Sequence, residues 1–195
     1  MKIDHQKRTS VLALASAAPA LLGPTTAAAQ VGSSRDAVGM SGTINHRTRE
    51  IYLTGSLTDK DNFNTVIAVV LLNVPKGKWR MTKAEHNGQS KGWGLWALQL
   101  GYATRFVKTE TPKCNYFRRM TFVDARNCLV FDDGSVLPNQ TLIKSWTMLH
   151  GEGPIHVLHY ERPETMSAPM TEAEIKKGWG NKAVDQMMNV TLQEI

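Results

Sequence analysis

From Trp79 onward the chain is a succession of short β-like runs, each closed by turn chemistry, and this succession restricts the fold more than any other feature. The runs are WRMTKAEH, LWALQL, ATRFVKTET, YFRRMTFV, CLVFDD, TLIKSWTML and IHVLHYER, separated by HNGQSKG, TPKCN, DARN, DGSVLPN and HGEGP. Glycine, proline, asparagine and aspartate at those breaks supply the backbone geometries that turns require. Short strands at such spacing point to an antiparallel sheet that curls into a barrel or sandwich. Upstream, EIYLTGSL (50–57) alternates as a further strand and NVPKGK reads as a turn.

Two segments read as helix. TDKDNFNTVIAVVLL (58–72) opens on polar residues that resemble a first helical turn, with Thr58 or Asp59 as cap, although its β-branched run also fits a buried strand. In PMTEAEIKKGWGNKAVDQMMNV, Thr171 and Glu174 stand in capping-box register. Ile175, Trp179, Ala183, Met187 and Val190 then lie on one helical face. The expected fold class is therefore α+β: a curved antiparallel β-sheet, barrel- or sandwich-like, with a C-terminal helix.

The N-terminus has the order of an export signal. Lys2, Lys7 and Arg8 precede the apolar VLALASAAPALLG, and Ala27 and Ala29 satisfy a small-residue cleavage rule after Ala29. That apolar run is shorter than the ~20 residues needed to cross a bilayer as a helix. The expected organisation is a cleaved signal peptide over 1–29, a loosely held segment over 30–43, and one globular domain over 44–195 in the periplasm or the secreted fraction. Removing the leader lowers the formal charge from +6 to +4. No run of five basic residues remains, so nucleic acid is a poor partner for this chain.

An oxidising destination favours joining the chain's two cysteines, Cys114 and Cys128, as a disulfide. The geometry resists. If YFRRMTFV is one straight strand turning at DARN, Val123 faces Cys128 and Cys114 lies roughly 30 Å away, whereas a bridge needs Cα atoms within about 7 Å. The expectation here keeps the bridge and gives up the straight strand.

Chemistry-bearing residues are scattered. If HGEGP closes a hairpin, His150 pairs with Ile155 and Trp146 with His159, leaving His150 and His159 on one face about 13 Å apart, too far to share a metal ion. No metal or cofactor is expected. Ser90, among glycines and near His86, is the most attractive serine, but no G-x-S-x-G elbow frames it. Asp132 and Asp133 read as turn residues before Gly134. Asn139 and Asn189 match the N-glycosylation pattern. The more promising surface combines Trp93 and Trp96 with Arg118 and Arg119, residue types enriched where proteins grip partners.

Two resemblances follow from these residues. KGKW, with Gly77 and Trp79, and Arg162 after the last run resemble the G-x-W and closing arginine of lipocalin-type barrels, although GLW at Gly94–Trp96 fits the same pattern. EIYLTGSLTDKDNFNTVIAVVLL followed by GLWALQLGYAT resembles the opening strand–helix units of Clp-type serine peptidases. That resemblance implies an α/β hydrolase or a degenerate relative, but no serine stands in the expected setting downstream. The functional expectation is an exported, non-enzymatic module that binds a small apolar ligand or an envelope protein partner, with a Clp-like hydrolase as the alternative.

Overall fold

The structure, a computed structural model, describes residues 38–58, 66–101, 103–124, 127–163 and 186–195. The expected leader, residues 30–37 of the expected loose segment, and most of the expected tail helix lie outside them.

The described residues form strands and no α-helix. In chain order these are β1 (Val38–Asn45), β2 (Glu50–Thr58), β3 (Val66–Leu71), β4 (Gly77–Gly88), β5 (Trp93–Leu100), β6 (Thr104–Phe106) and β7 (Lys113–Cys114). They continue with β8 (Arg119–Val123), β9 (Cys128–Asp132), β10 (Thr141–His150), β11 (Ile155–Pro163), β12 (Gln186–Val190) and β13 (Gln193–Glu194). One sheet runs in the order β13-β1-β2-β4-β10-β6, with β7 also paired to β10; the other runs β12-β3-β11-β5-β9-β8. Among the described strands neither sheet closes into a barrel. Ile51, Leu53, Trp79, Met81 and Trp146 of the first sheet share a single apolar core with Ile67, Val69, Trp96, Leu98 and Phe131 of the second.

Several expectations are corrected. Residues 66–71 are strand rather than helix: VIAVVL is buried along its whole length, and β-branched side chains suit a strand enclosed on both faces. The C-terminal helix is replaced, where described, by β12. Met188 and Val190 are buried while Met187 is exposed, a period of two rather than 3.6, and β12 lies parallel to β3. The sheets are mixed rather than antiparallel, because β2 runs parallel to β4 and β1 parallel to β13. β1 takes in residues 38–43 of the segment expected to be loose.

HGEGP does not close a hairpin. β10 belongs to one sheet and β11 to the other, so this connection carries the chain across the core and removes the expected pairing of Trp146 with His159. Neither resemblance survives. The stretches likened to strand–helix units contribute β2, β3 and β5, which is not an α/β arrangement. Trp79 is covered by the guanidinium of Arg49, 5.0 Å from the ring centroid, in sheets that do not form a closed barrel.

DARN does turn the chain, and β8 and β9 pair with Val123 opposite Cys128. Asn127 sits in the turn at φ 50°, and its side-chain amide donates to the carbonyls of Leu100 (3.1 Å) and Thr104 (2.6 Å). Cys114 instead pairs opposite Lys144 in the first sheet. The expected bridge is therefore not formed, and Cys114 and Cys128 stand in different sheets.

Candidate functional site

Strand alternation builds the site. Along β4 the buried residues are Trp79, Met81, Lys83, Glu85 and Asn87, so two charged side chains continue an apolar inward row. On β10 the matching row is Leu142, Lys144, Trp146, Met148 and His150, and the pairing places Lys144 opposite Lys83. From the second sheet, β11 brings in His159 and Glu161, and β5 brings in Trp96. Lys83, Lys144, His159 and Glu161 are each 0% exposed and Glu85 is 1% exposed.

These groups form one network. The ammonium of Lys83 is ion-paired with Glu85 Oε1 at 2.5 Å and lies 2.5 Å from His159 Nδ1. Lys144 donates to the other oxygen of Glu85. His159 Nδ1 also lies 3.0 Å from Glu85 Oε1, so this ring nitrogen meets both an ammonium and a carboxylate oxygen. The indole of Trp96 closes the cluster: Lys144 Nζ lies 4.1 Å from its centroid, and the His159 ring meets it edge-on at 5.2 Å.

Burial and charge set the protonation states. Burial pushes the Glu85 carboxyl up, but Lys144, then Lys83 and His159, outweigh it and hold the group well below the usual carboxylate range. Burial lowers Lys144 to about 8 despite Glu85. Burial, then Lys83, lowers His159 to about 4, so its imidazole is neutral at pH 7. Lys83 is lowered by burial, with Glu85 and Glu161 opposing.

Three buried ring nitrogens have no hydrogen-bond partner among the described residues: Nε2 of His159, Nε1 of Trp96 and Nε1 of Trp146. Such orphans are rare in folded proteins, since each carries a desolvation cost of about 1–3 kcal/mol.

The sequence-derived residues divide between interior and surface. Trp96 is in the cluster. Trp93 packs against it at 4.8 Å and donates through Nε1 to Gln89 Oε1 at 2.6 Å, tying the cluster to the Gly88–Gly92 turn. That turn is also held by Asn87, whose side-chain amide donates to the carbonyls of Lys91 and Val136. Ser90 lies in it, exposed. Arg118 and Arg119 are not brought to the tryptophans: they flank the start of β8, where Arg118 pairs with Asp133 at 2.9 Å and Arg119 grips Asp132 at 2.6 and 2.9 Å.

A separate cleft of about 570 Å³ borders β6 and the end of β10, with Lys76, Thr104, Arg105 and His150 in its wall. Thr104 lies 2.9 Å from His150 Nδ1 and Gly153 O lies 3.0 Å from Nε2, so both ring nitrogens are engaged. Among the described residues no group of three or more His, Cys, Asp or Glu side chains is placed to hold a metal ion.

Sequence reasoning missed Lys83, Glu85 and Lys144. Their signal was a charged residue recurring at the period of the buried row, as in Trp79-x-Met81-x-Lys83-x-Glu85.

Residues 40–195 match the model of a family described as Family of unknown function (DUF6423), and the chain belongs to that family. No match was found among curated proteins or among solved structures.

Proposed function

We propose that this member of the family is an exported, non-enzymatic module that binds a small, largely apolar ligand between its two sheets, with the ligand's polar group at the Lys83–Glu85–Lys144–His159 cluster. The observation that carries the reading is the position of that cluster. Four ionisable side chains and a tryptophan from both sheets meet inside an otherwise apolar core, and two of the rings present unpartnered nitrogens. Ionic networks of this kind are a poor way to stabilise a fold, because well-packed apolar side chains of similar volume do as well or better. Buried groups with displaced pKa values gather instead at sites of binding and chemistry.

The surrounding core supplies the apolar part of the site. Trp93, Trp96, Leu98, Phe131 and Trp146 are all buried in the same cluster of side chains. A ligand with a hydrocarbon body and a small polar group suits such walls, which is the usual composition of a small-molecule site. The Gly88–Gly92 turn is the entry this reading favours, since Gln89 and Trp93 link it to Trp96.

Native mass spectrometry of protein purified from its own host tests this. The reading expects a small molecule that stays with the folded chain, leaves on unfolding, and is depleted in a Trp96→Phe variant. Ligand-free protein from the host, with no thermal stabilisation by any apolar compound, would contradict it.

A further inference from the structure

We propose that the cleft beside β6 is a second binding site, which takes a small organic carboxylate with an apolar body, its charged end held by Arg105 and Lys76. None of the core cluster's side chains lines this cleft, so the site stands or falls apart from the ligand placed between the sheets.

Register across three strands builds the wall. Leu149 of β10 lies opposite Arg105 of β6 on one side and Lys78 of β4 on the other. Directly opposed residues of antiparallel strands share a face, so Lys78, Leu149 and Arg105 form one exposed row. The two cations of that row differ. Lys78 is paired with Glu110, whose second oxygen accepts from the Thr147 hydroxyl at 2.5 Å. Arg105 and Lys76 form no ion pair among the described residues. No acidic side chain lines the cleft, and Glu152, next to Gly151 of the wall, is exposed. The cleft is therefore cationic with its charge unspent.

Its inner wall is already set. A carbonyl only accepts, so His150 Nε2 donates to Gly153 O at 3.0 Å, and in the neutral ring Nδ1 accepts from the Thr104 hydroxyl at 2.9 Å. Thr104 then keeps no proton for a ligand. The Gly151 amide donates to the Ala103 carbonyl at 2.5 Å, fixing the opposite side. Gly77, Ala103 and Gly151 fill little of the space, and the volume of about 570 Å³ falls within the roughly 300–1,000 Å³ of small-molecule sites. Side-chain donors come from two cationic heads alone. That suits the single charge and two oxygens of a carboxylate better than a phosphate, with its three oxygens and higher charge. Leu149, 37% exposed, and the hydrocarbon stems of Arg105 and Lys76 favour an apolar body beside that charge.

Three probes of similar shape test this: 4-ethylbenzoate, 4-ethylbenzamide and 4-ethylphenylphosphonate, titrated into the full chain at low salt and followed by 1H–15N spectra. The benzoate should shift the Thr104 and Gly151 amides and bind at least about fivefold more tightly than the benzamide, since exposed ion pairs are individually modest. Raising the salt to about 0.5 M should bring that preference within about twofold. Arg105→Gln and Lys76→Gln, both at exposed positions, should each reduce it by at least about half at low salt. Arg118→Gln, on the other sheet, should leave it intact and so exclude a mere loss of net charge. Equal binding of the benzamide, or an undiminished preference in both cleft variants, overturns the assignment of Arg105 and Lys76. Tighter binding of the phosphonate overturns the carboxylate class. Shifts confined to other residues, or binding of none of the three, overturn the site and leave the core ligand untouched.

Discussion

Lys144 and Trp96 come from different sheets, yet the ammonium of one sits 4.1 Å above the ring of the other in the middle of the core. The contact joins the two halves of the molecule through a cation on an aromatic face, and it makes Lys144 the residue through which the network is best tested.

Removing Lys144 alone leaves Glu85 with one ammonium fewer inside the core. Lys144→Met is expected to lower stability by about 3–5 kcal/mol, the usual cost of breaking a buried pair. Adding Glu85→Leu removes the opposite charge and leaves Lys83 facing Glu161, so the double variant should recover at least half of that loss. Urea unfolding of the wild type, both single variants and the double variant measures this as a coupling energy. Strictly additive losses would show that the pair does not act as a unit.

Acid should weaken the fold in two overlapping steps. His159 is lowered from 6.5 to about 4, so between those values the unfolded chain binds a proton that the folded chain does not. Its contribution is complete above pH 6.5 and is lost as pH falls through 4, an effect on the order of 3 kcal/mol. Glu85, held well below 4.5, adds a further loss below that pH. Urea midpoints from pH 7 to 4 should fall steeply in the wild type and less in His159→Gln. An unchanged slope in the variant would remove His159 from the account.

The two thiols should differ in reactivity. Cys114 is half-buried on β7, while Cys128 is 1% exposed on β9. A thiol reagent added to native protein should label Cys114 and spare Cys128, with both labelled after denaturation. Complete protection of both sites in unreduced, denatured protein would establish a bridge and contradict the unbridged arrangement.

Backbone packing beside β8 has its own test. A Cβ on Gly134 would stand 2.1 Å from the Tyr116 carbonyl oxygen, a backbone atom that cannot swing aside. Gly134→Ala should therefore cost more than about 2 kcal/mol. Gly39 has nothing within 4 Å of the same position, so Gly39→Ala should leave the melting temperature almost unchanged.

Much of the strand content was legible. EIYLTGSL, LWALQL, CLVFDD and TLIKSWTML become β2, β5, β9 and β10 with small shifts at their ends, because alternation and turn residues act locally. The register with Val123 opposite Cys128 followed from the same local signals but was given up for the expected bridge, which the structure lacks. The division into two sheets could not, since whether Ile155 pairs back onto β10 or crosses the core depends on contacts far along the chain. The VIAVVL run shows the limit of local pattern: a continuous apolar stretch has no period to separate helix from buried strand.

The site was half legible. Trp93 and Trp96 stood out by residue type. Lys83 and Lys144 did not, because in WRMTKAEH and TLIKSWTML the outward rows also mix polar and apolar residues, and nothing local marks which row faces the core. Arg118 and Arg119 drew notice through the same preference as the tryptophans, but carboxylates beside them account for their placement.

The central claim, that the cluster around Trp96 and His159 receives a ligand, is tested most directly by 1H–15N spectra of the tryptophan indoles during titration with an apolar probe, 2-ethylnaphthalene. Trp79 serves as the internal reference, because its indole N–H already donates to the Pro75 carbonyl at 2.8 Å. The account predicts that the Trp96 indole and the His159 Nε2 resonances shift and saturate together while Trp79 stays in place. A titration that leaves Trp96 and His159 unmoved, or that moves Trp79 instead, contradicts it.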